Sequence, residues 1–250
     1  MSGHSKWSSI KHKKAAADSK RGKVFTKIIR EIAVAARNAG GDPDMNPRLR
    51  KAIQDAKNVN MPADNIKRAI LKGTGQLEGA QYEEAIYEGY GPGGVAIYIT
   101  ALSDNKNRTV SELRHIFMKN GGQIGTQGCV AFRFKRGGYI DIDKDNAEEE
   151  KLMDVALNAG AEDIKDDGDT FEIVTTPEKY EAVLEAVKAA GIEIADSNVG
   201  YIPQDYTKVE GKQAQQALKL VEELEDHDDV QTVAANFDID EKEIALYENA

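Results

Sequence analysis

GYIDIDKDNAEEEKLMDVALNAGAEDIKDDGDTFEIVTTPEKYEAVLEAVKAAGIEIADSNVGYI, residues 138–202, is the stretch whose reading decides the fold. Apolar residues alternate over 138–143, then recur at helical spacing over 147–159. Strands follow at 162–166 and 170–175, a helix at 177–190 and a strand at 193–202. Asp166-Asp167-Gly168-Asp169 supplies the turn between the two central strands. The order is β-α-β-β-α-β, the split pattern of a ferredoxin-like fold.

Upstream, Tyr82–Tyr90 and Val95–Leu102 read as strands joined by Gly91-Pro92-Gly93-Gly94. Thr109–Lys119 reads as a helix with Val110, Leu113, Ile116 and Phe117 inward, and Cys129–Phe134 as a further strand. Downstream, residues 211–226 read as a helix with Ala214, Ala217, Leu218, Val221 and Leu224 inward, and Val230–Phe237 as a last strand. These flanking pieces, β-β-α-β before and α-β after, together make a second mixed sheet. The ferredoxin-like unit is therefore expected as an insertion in it; consecutive domains are the alternative.

From residue 20 to residue 73 the period is helical. Val24, Phe25, Ile28, Ile29, Ile32 and Ala36 mark an amphipathic helix over 20–38 that Gly40-Gly41 stops. Asn46-Pro47 starts the next, with Asn at the N-cap and Pro at the first helical position. Pro62 opens a third, ended by Gly73. The expectation is an α+β protein: an N-terminal three-helix domain, then two mixed α/β (ferredoxin-like) domains, the third inserted in the second. Its limits are 1–77 for the basic arm and helices, 78–135 with 204–250 for the discontinuous domain, and 136–203 for the insertion.

Charge divides along the same line. Residues 1–75 carry 17 Lys and Arg against 6 Asp and Glu, while 76–250 carry 16 against 37, so a net −10 conceals a strongly basic head. Such asymmetry points to a polyanionic partner for the head, and phosphate backbones are the first candidate. One cysteine, Cys129, excludes an internal disulfide and a cysteine-built zinc site. There is no apolar run of membrane-spanning length, and MSGHSKW lacks the apolar core of a signal peptide. A cytoplasmic monomer with no membrane partner, no small-molecule substrate and no cofactor is expected; a cleaved organelle-import segment is the alternative for the N-terminus.

The residues expected to meet nucleic acid lie in the head. Residues 1–17 lack the apolar stripe that orders a chain. They carry His4, Lys6, Trp7, Lys11, His12, Lys13 and Lys14, an electrostatic clamp with one aromatic for base stacking. Lys20, Lys23, Lys27 and Arg30 follow at spacings of three and four, with Arg21 beside them, and read as a phosphate-following stripe on one helix face. Arg48 and Arg50 extend the set. The alternatives are a solvated tail and a solubilising face.

Other constellations carry less. Gly89-x-Gly91-x-x-Gly94 has the spacing of a dinucleotide fingerprint, but a strand follows it where that motif needs a helix, so a rigid hairpin is expected. In DNKNRT, residues 104–109, Asn107 or Asp104 caps a helix, or Lys106 and Arg108 contact phosphate. The glycines at 121, 122, 125 and 128 read as a flexible connection. Asp226-His227-Asp228-Asp229 reads as an acidic, exposed helix end rather than a metal site, because adjacent carboxylates point apart. His4 and His12 have no further zinc ligands, Glu148-Glu149-Glu150 suits a helix N-terminus, and no nucleophile–base pairing is legible.

GHSKWSSIKHKKAAADSKRGKVFTKIIREI (3–32), NPRLRKAIQDAKNVNMPADNIKRAILKGTG (46–75), YEGYGPGGVAIYI (87–99), DNKNRT (104–109) and RHIFMKNGGQIG (114–125) resemble the YebC family. That family includes bacterial proteins labelled probable transcriptional regulators and a mitochondrial translational activator of cytochrome oxidase subunit one. The resemblance implies a helical domain followed by two α/β domains, no catalytic site and no thiol role for Cys129. It implies one of two functions: DNA binding with regulation of transcription, or association with the ribosome, contact with ribosomal RNA and relief of stalls, including those at proline-rich stretches. A non-enzymatic nucleic-acid-binding regulator of gene expression is the expectation. A metal-dependent nuclease and a protein–protein adaptor are the competing classes.

Overall fold

The computed structural model describes residues 18–166, 168, 170–240, 243, 244 and 247. Three helices come first: α1 (Asp18–Ala39), α2 (Pro47–Asn58) and α3 (Ala63–Gly73). Their apolar stripes close one core containing Ile32, Ala36, Leu49, Ala56 and Ile66. Asn46 fixes the corner between the first two. Its Oδ1 accepts the Leu49 N–H at 3.0 Å, capping α2. Its Nδ2 donates to the carbonyls of Ala35 and Gly40, both at 2.8 Å, satisfying the end of α1. Gly73 lets α3 lie against α1, since a Cβ there would stand 2.3 Å from the Ala33 carbonyl oxygen.

The second unit is a four-stranded sheet. β1 (Glu83–Tyr90) and β2 (Ala96–Ser103) form an antiparallel hairpin, with Tyr87 opposite Ile99. The connection is a tight turn in which Gly91 N–H bonds the Val95 carbonyl at 2.7 Å. α4 (Lys106–Lys119) leads to β3 (Gln123–Ile124), which pairs with β1. The glycine-rich connection after α4 therefore contains a sheet edge. The ferredoxin-like unit intervenes before the last strand of this sheet.

That unit comprises β4 (Phe134–Asp143), α5 (Glu149–Ala159), β5 (Asp163–Asp166), β6 (Thr170–Thr175), α6 (Tyr180–Ala189) and β7 (Asp196–Pro203), with sheet order β5-β6-β4-β7. All its neighbours are antiparallel. Ile140, Ile142, Phe171 and Ile173 pack under Leu152 and Val183 of the two helices. The chain then makes β8 (Thr207–Lys208), α7 (Gly211–Glu225), β9 (Val230–Ala235) and β10 (Phe237–Asp238). β9 returns to β2, placing Val233 opposite Ile99, and completes the sheet order β3-β1-β2-β9. β8 and β10 pair in parallel. One face of the first sheet is covered by α4 and α7, with Ile97, Leu113, Phe117, Leu218 and Val221 buried between them.

Two readings of the sequence are corrected here. The cap of α4 is Asn105, whose Oδ1 accepts the Arg108 N–H at 3.1 Å, not Asn107 or Asp104. Cys129–Phe134 is not a strand: Ala131–Arg133 is a 3-10 turn and β4 begins at Phe134. The reason is Glu88 on β1, 4 % exposed, whose carboxylate accepts the N–H groups of Gly128 at 2.6 Å and of Val130 and Ala131 at 2.8 Å. A strand would give such donors to a neighbouring strand; here a carboxylate takes them. Beneath this turn, Tyr98 packs against Tyr201 with ring centroids 4.3 Å apart and against Phe134 at 5.8 Å, joining the two sheets' units through aromatic contact.

Candidate nucleic-acid interface

The arm residues His4, Lys6, Trp7, Lys11, His12, Lys13 and Lys14, and the side chains of Lys20 and Arg21, lie outside the described residues. The remaining members of the expected interface are placed, and their positions divide them.

Lys23, Lys27 and Arg30 do share one face of α1, as their spacing requires. That face is turned onto the loop joining α7 to β9. Lys27 Nζ donates to the Glu225 carbonyl, and Lys23 stands 3.4 Å from Asp226. Both therefore meet the negative end of the α7 dipole, where cations are favoured. Arg30 goes deeper. Its Nη1 bonds the Asp229 carboxylate, the Asp228 carbonyl at 2.8 Å and the Leu102 carbonyl at 3.3 Å, and its guanidinium carbon lies 5.0 Å from the centre of the Tyr82 ring. With 11 % of its side chain exposed, Arg30 cannot meet a phosphate in this conformation. In this conformation Lys27 and Arg30 of the expected stripe are engaged in an inter-unit contact, and Lys23 borders it.

Asp229 organises that contact. Its second oxygen accepts from Arg108 Nη2 at 2.8 Å and from the Thr109 hydroxyl. Burial by itself would raise its pKa; the hydrogen bonds from Thr109, Arg108 and Arg30 prevail and hold the carboxylate at about 2. The acidic segment is consequently not an exposed helix end at this residue, which is 1 % exposed. Of the DNKNRT pair, Arg108 joins Asp229 and Asp104, and Lys106 lies 2.7 Å from Glu83.

Glu112, His227 and Asp229 bring three ligand atoms within 4.8 Å of one another, but they do not fit a cation. Both oxygens of Asp229 already accept from arginines, His227 Nδ1 accepts the Asp229 N–H at 3.1 Å, and Nε2 lies 2.9 Å from Glu112. Two guanidinium charges on one of the three ligands oppose a third cation there.

Arg48 lies between Glu31 and Glu84, which raise its pKa, the Glu31 hydrogen bond contributing most. Arg50 is exposed, with its guanidinium 3.4 Å from the Asp44 carbonyl. The cations that remain available are elsewhere on the helical unit. Lys57 at the end of α2 and Lys67, Arg68 and Lys72 on α3 are exposed and form no ion pair among the described residues. Arg68 and Lys72 are one helical turn apart and share a face. The sequence reading gave α1 the leading part. The signal it lacked was the carboxylate or carbonyl oxygen that meets Lys27 and Arg30 198 or more residues along the chain. Cys129 is half-buried, and burial followed by the nearby Glu88 charge pushes its thiol pKa up, opposite to the direction a reactive thiol needs.

The N-terminal pattern described as "TACO1/YebC protein N-terminal domain" matches residues 5–76, and that described as "TACO1/YebC second and third domain" matches residues 82–237. The chain belongs to the TACO1/YebC family. Its relatives in that family include a "probable transcriptional regulatory protein" of Solibacter usitatus, 56 % identical over 244 residues and covering 98 % of each chain. Another, of Natranaerobius thermophilus, bears the same description and is 59 % identical over 244 residues, covering 96 % of this chain and 98 % of that one. Among solved structures, a conserved hypothetical protein of Aquifex aeolicus superposes with a TM-score of 0.80 at 48 % identity, covering 90 % of this chain and 93 % of that one. This TACO1/YebC chain has no helix among its described residues long and apolar enough to cross a membrane.

Proposed function

We propose that this chain is a non-enzymatic, nucleic-acid-binding regulator of gene expression whose helical head, limited at about residue 77, makes the first contact. The observation that carries the reading is the set of exposed cations without carboxylate partners among the described residues on α2 and α3, Arg50, Lys57, Lys67, Arg68 and Lys72, on a head that carries a surplus of 11 positive charges. Cations whose charge is not already met by the protein are the ones that release counterions from a phosphate polymer. The acidic remainder resists the same polymer, so the head leads. The names of the relatives, probable transcriptional regulatory proteins, support a role in regulating transcription.

A second reading, a ribosome-associated factor that contacts ribosomal RNA and relieves stalling, is favoured by the arrangement of the cations. Base readout in a duplex needs a row of Arg, Asn and Gln aimed into one groove. Here the cations divide between α2 and α3, and the most regular row, on α1, is turned onto the α7–β9 loop of the same chain.

Cross-linking in cells with sequencing of both recovered RNA and DNA tests the pair. Dominance of ribosomal RNA supports the second version and discrete promoters the first. Recovery of neither, with the quadruple variant Lys57/Lys67/Arg68/Lys72→Ala binding as the parent does, overturns both.

A further inference from the structure

Were Cys129–Phe134 a strand, Val130, Phe132 and Phe134 would share a face, because alternate residues in a strand do. Two of them behave so: Val130 is 0 % and Phe134 6 % exposed, both in the aromatic cluster around Tyr98. Phe132 is 73 % exposed. One 3-10 turn at Ala131–Arg133 reverses it.

The turn is firmly held on both sides of that ring. Before it, the buried Glu88 carboxylate accepts three N–H groups from Gly128, Val130 and Ala131, and the Tyr90 hydroxyl donates to the Cys129 carbonyl at 2.8 Å. Gly125 closes against the same turn, where a Cβ would stand 2.4 Å from Cys129 Sγ. After it, Arg133 Nε bonds both oxygens of Asp205 at 2.9 and 3.0 Å, and the Arg133 carbonyl accepts the Gln204 N–H at 2.9 Å. A lone exposed apolar side chain needs no explanation. An aromatic ring presented between two pinned residues is different, because the entropy of ordering the backbone that carries it has been removed before any partner arrives.

The surroundings indicate the partner. No Asp or Glu occurs between Glu112 and Asp141, a stretch that contains Arg114, Lys119, Arg133, Lys135 and Arg136. Residues 76–135 carry 6 Lys and Arg against 6 Asp and Glu, whereas 136–203 carry 6 against 18. This loop is thus in the least acidic part of the body and repels a phosphate chain least. It is not a strong cation patch: Lys119, Arg133 and Lys135 lie 2.8, 2.9 and 3.0 Å from Glu223, Asp205 and Glu162. Thr126, Gln127 and Gly128 beside the turn are exposed and uncharged. What the loop offers is a flat π-face beside carboxylates that are each already paired with a cation, which suits an unstacked base.

We propose that Phe132 is a stacking platform for an unpaired base of single-stranded or looped RNA, a second contact that carries the interface from the head onto the middle of the chain. This rests on the nucleic-acid reading above and names its RNA version. The test is fluorescence anisotropy of the full chain with a labelled 20-nucleotide single-stranded RNA. Phe132→Ala should weaken binding about 5- to 100-fold, as loss of a stacked aromatic does. Phe132→Tyr should stay within about threefold of the parent, since a flat ring stacks with or without a hydroxyl. Melting temperatures should be unchanged, because the ring is in solvent. Unchanged RNA affinity in Phe132→Ala, with weakened binding in the quadruple head variant, overturns this inference and leaves the nucleic-acid reading standing. Unchanged affinity in both overturns the two together. An equal weakening on a fully duplex probe, whose bases offer no free face, or a drop in self-association by light scattering without any change in RNA affinity, also overturns it.

Discussion

Arg30 on α1 and Asp229 in the turn just before β9, 199 residues apart, form a nearly buried ion pair that seats the helical unit on the first sheet. The same carboxylate takes Arg108 and Thr109 of α4. One side chain therefore ties together an N-terminal helix, a helix of the second unit and the strand that returns after the inserted unit. Lys23 and Lys27 add weaker contacts along the same loop.

Removing one member of a buried pair costs far more than the pair contributes, because the other charge stays behind unmet. Asp229→Ala leaves two guanidinium groups facing one gap, and a destabilisation of about 3–5 kcal/mol is expected by urea denaturation. Asp229→Asn keeps one acceptor and should cost less. Hydrogen exchange should rise at α1 in both. A change under about 1 kcal/mol for the alanine variant, well short of a broken buried pair, would show that the helical unit is held by other means.

The same carboxylate sets an acid limit. Its folded pKa, about 2, lies below the ordinary 3.8, so the folded state binds this proton less readily than the unfolded one. The stabilisation is fully present above about pH 4 and disappears as pH falls from there toward 2. The shift corresponds to on the order of 2 kcal/mol. Equilibrium unfolding from about pH 5 to about pH 2 should show a slope that Asp229→Asn flattens; parallel curves for parent and variant would assign the acid sensitivity elsewhere.

Periodicity makes the fold legible. The ferredoxin-like unit is readable from 138–202 alone because each element in it is amphipathic with its own period and no element depends on a distant partner to be recognised. The insertion is readable because the leftover pieces lack a sheet of their own. The segment 129–134 is not, since its alternation Val130, Phe132, Phe134 is a strand's, and only a carboxylate about 40 residues earlier, Glu88, makes it a turn. The interface is the least legible part. Spacing places Lys23, Lys27 and Arg30 on one face, but whether that face meets solvent or Asp229 is a tertiary fact that local sequence does not contain.

Asn46 offers a sharper test of local structure. Elsewhere Asn and Asp cap helices about equally well. Here Nδ2 also donates to two carbonyls of the preceding helix end, Ala35 and Gly40. Asn46→Asp keeps the cap, removes both donors and sets a charge against two carbonyl oxygens in a site 1 % exposed. It should therefore destabilise by about 2–3 kcal/mol, as leaving buried polar groups unmet does. Equal stability of the Asn and Asp forms by thermal melting would mean that the two carbonyl contacts contribute nothing.

Glu88→Gln probes the turn under Phe132. The amide is the same size but turns an NH2 toward N–H groups that now meet an oxygen, so at least one donor is left without its partner. A destabilisation of about 1–3 kcal/mol is expected. Exchange of the Gly128, Val130 and Ala131 amides should speed up by roughly tenfold or more relative to the Ile140–Ile142 strand, as a local opening made easier by about 1.4 kcal/mol would do. If those three amides stay as protected as before, the carboxylate is not what holds the turn.

The two cationic rows of the head make opposite predictions, which separates docking from binding. Neutralising Lys67, Arg68 and Lys72 should weaken nucleic-acid affinity and reduce the slope of log affinity against log salt by about 0.7 to 0.9 for each phosphate no longer neutralised, with little change in melting temperature because these side chains are exposed and unpaired among the described residues. Neutralising Lys27 and Arg30 should do the reverse, lowering stability through the contacts to Glu225 and Asp229 while leaving the salt slope within error. A steep fall in affinity and slope for the α1 pair, with the protein still folded, would mean that α1 leaves the α7–β9 loop when nucleic acid binds and that the seated arrangement is the unbound form alone.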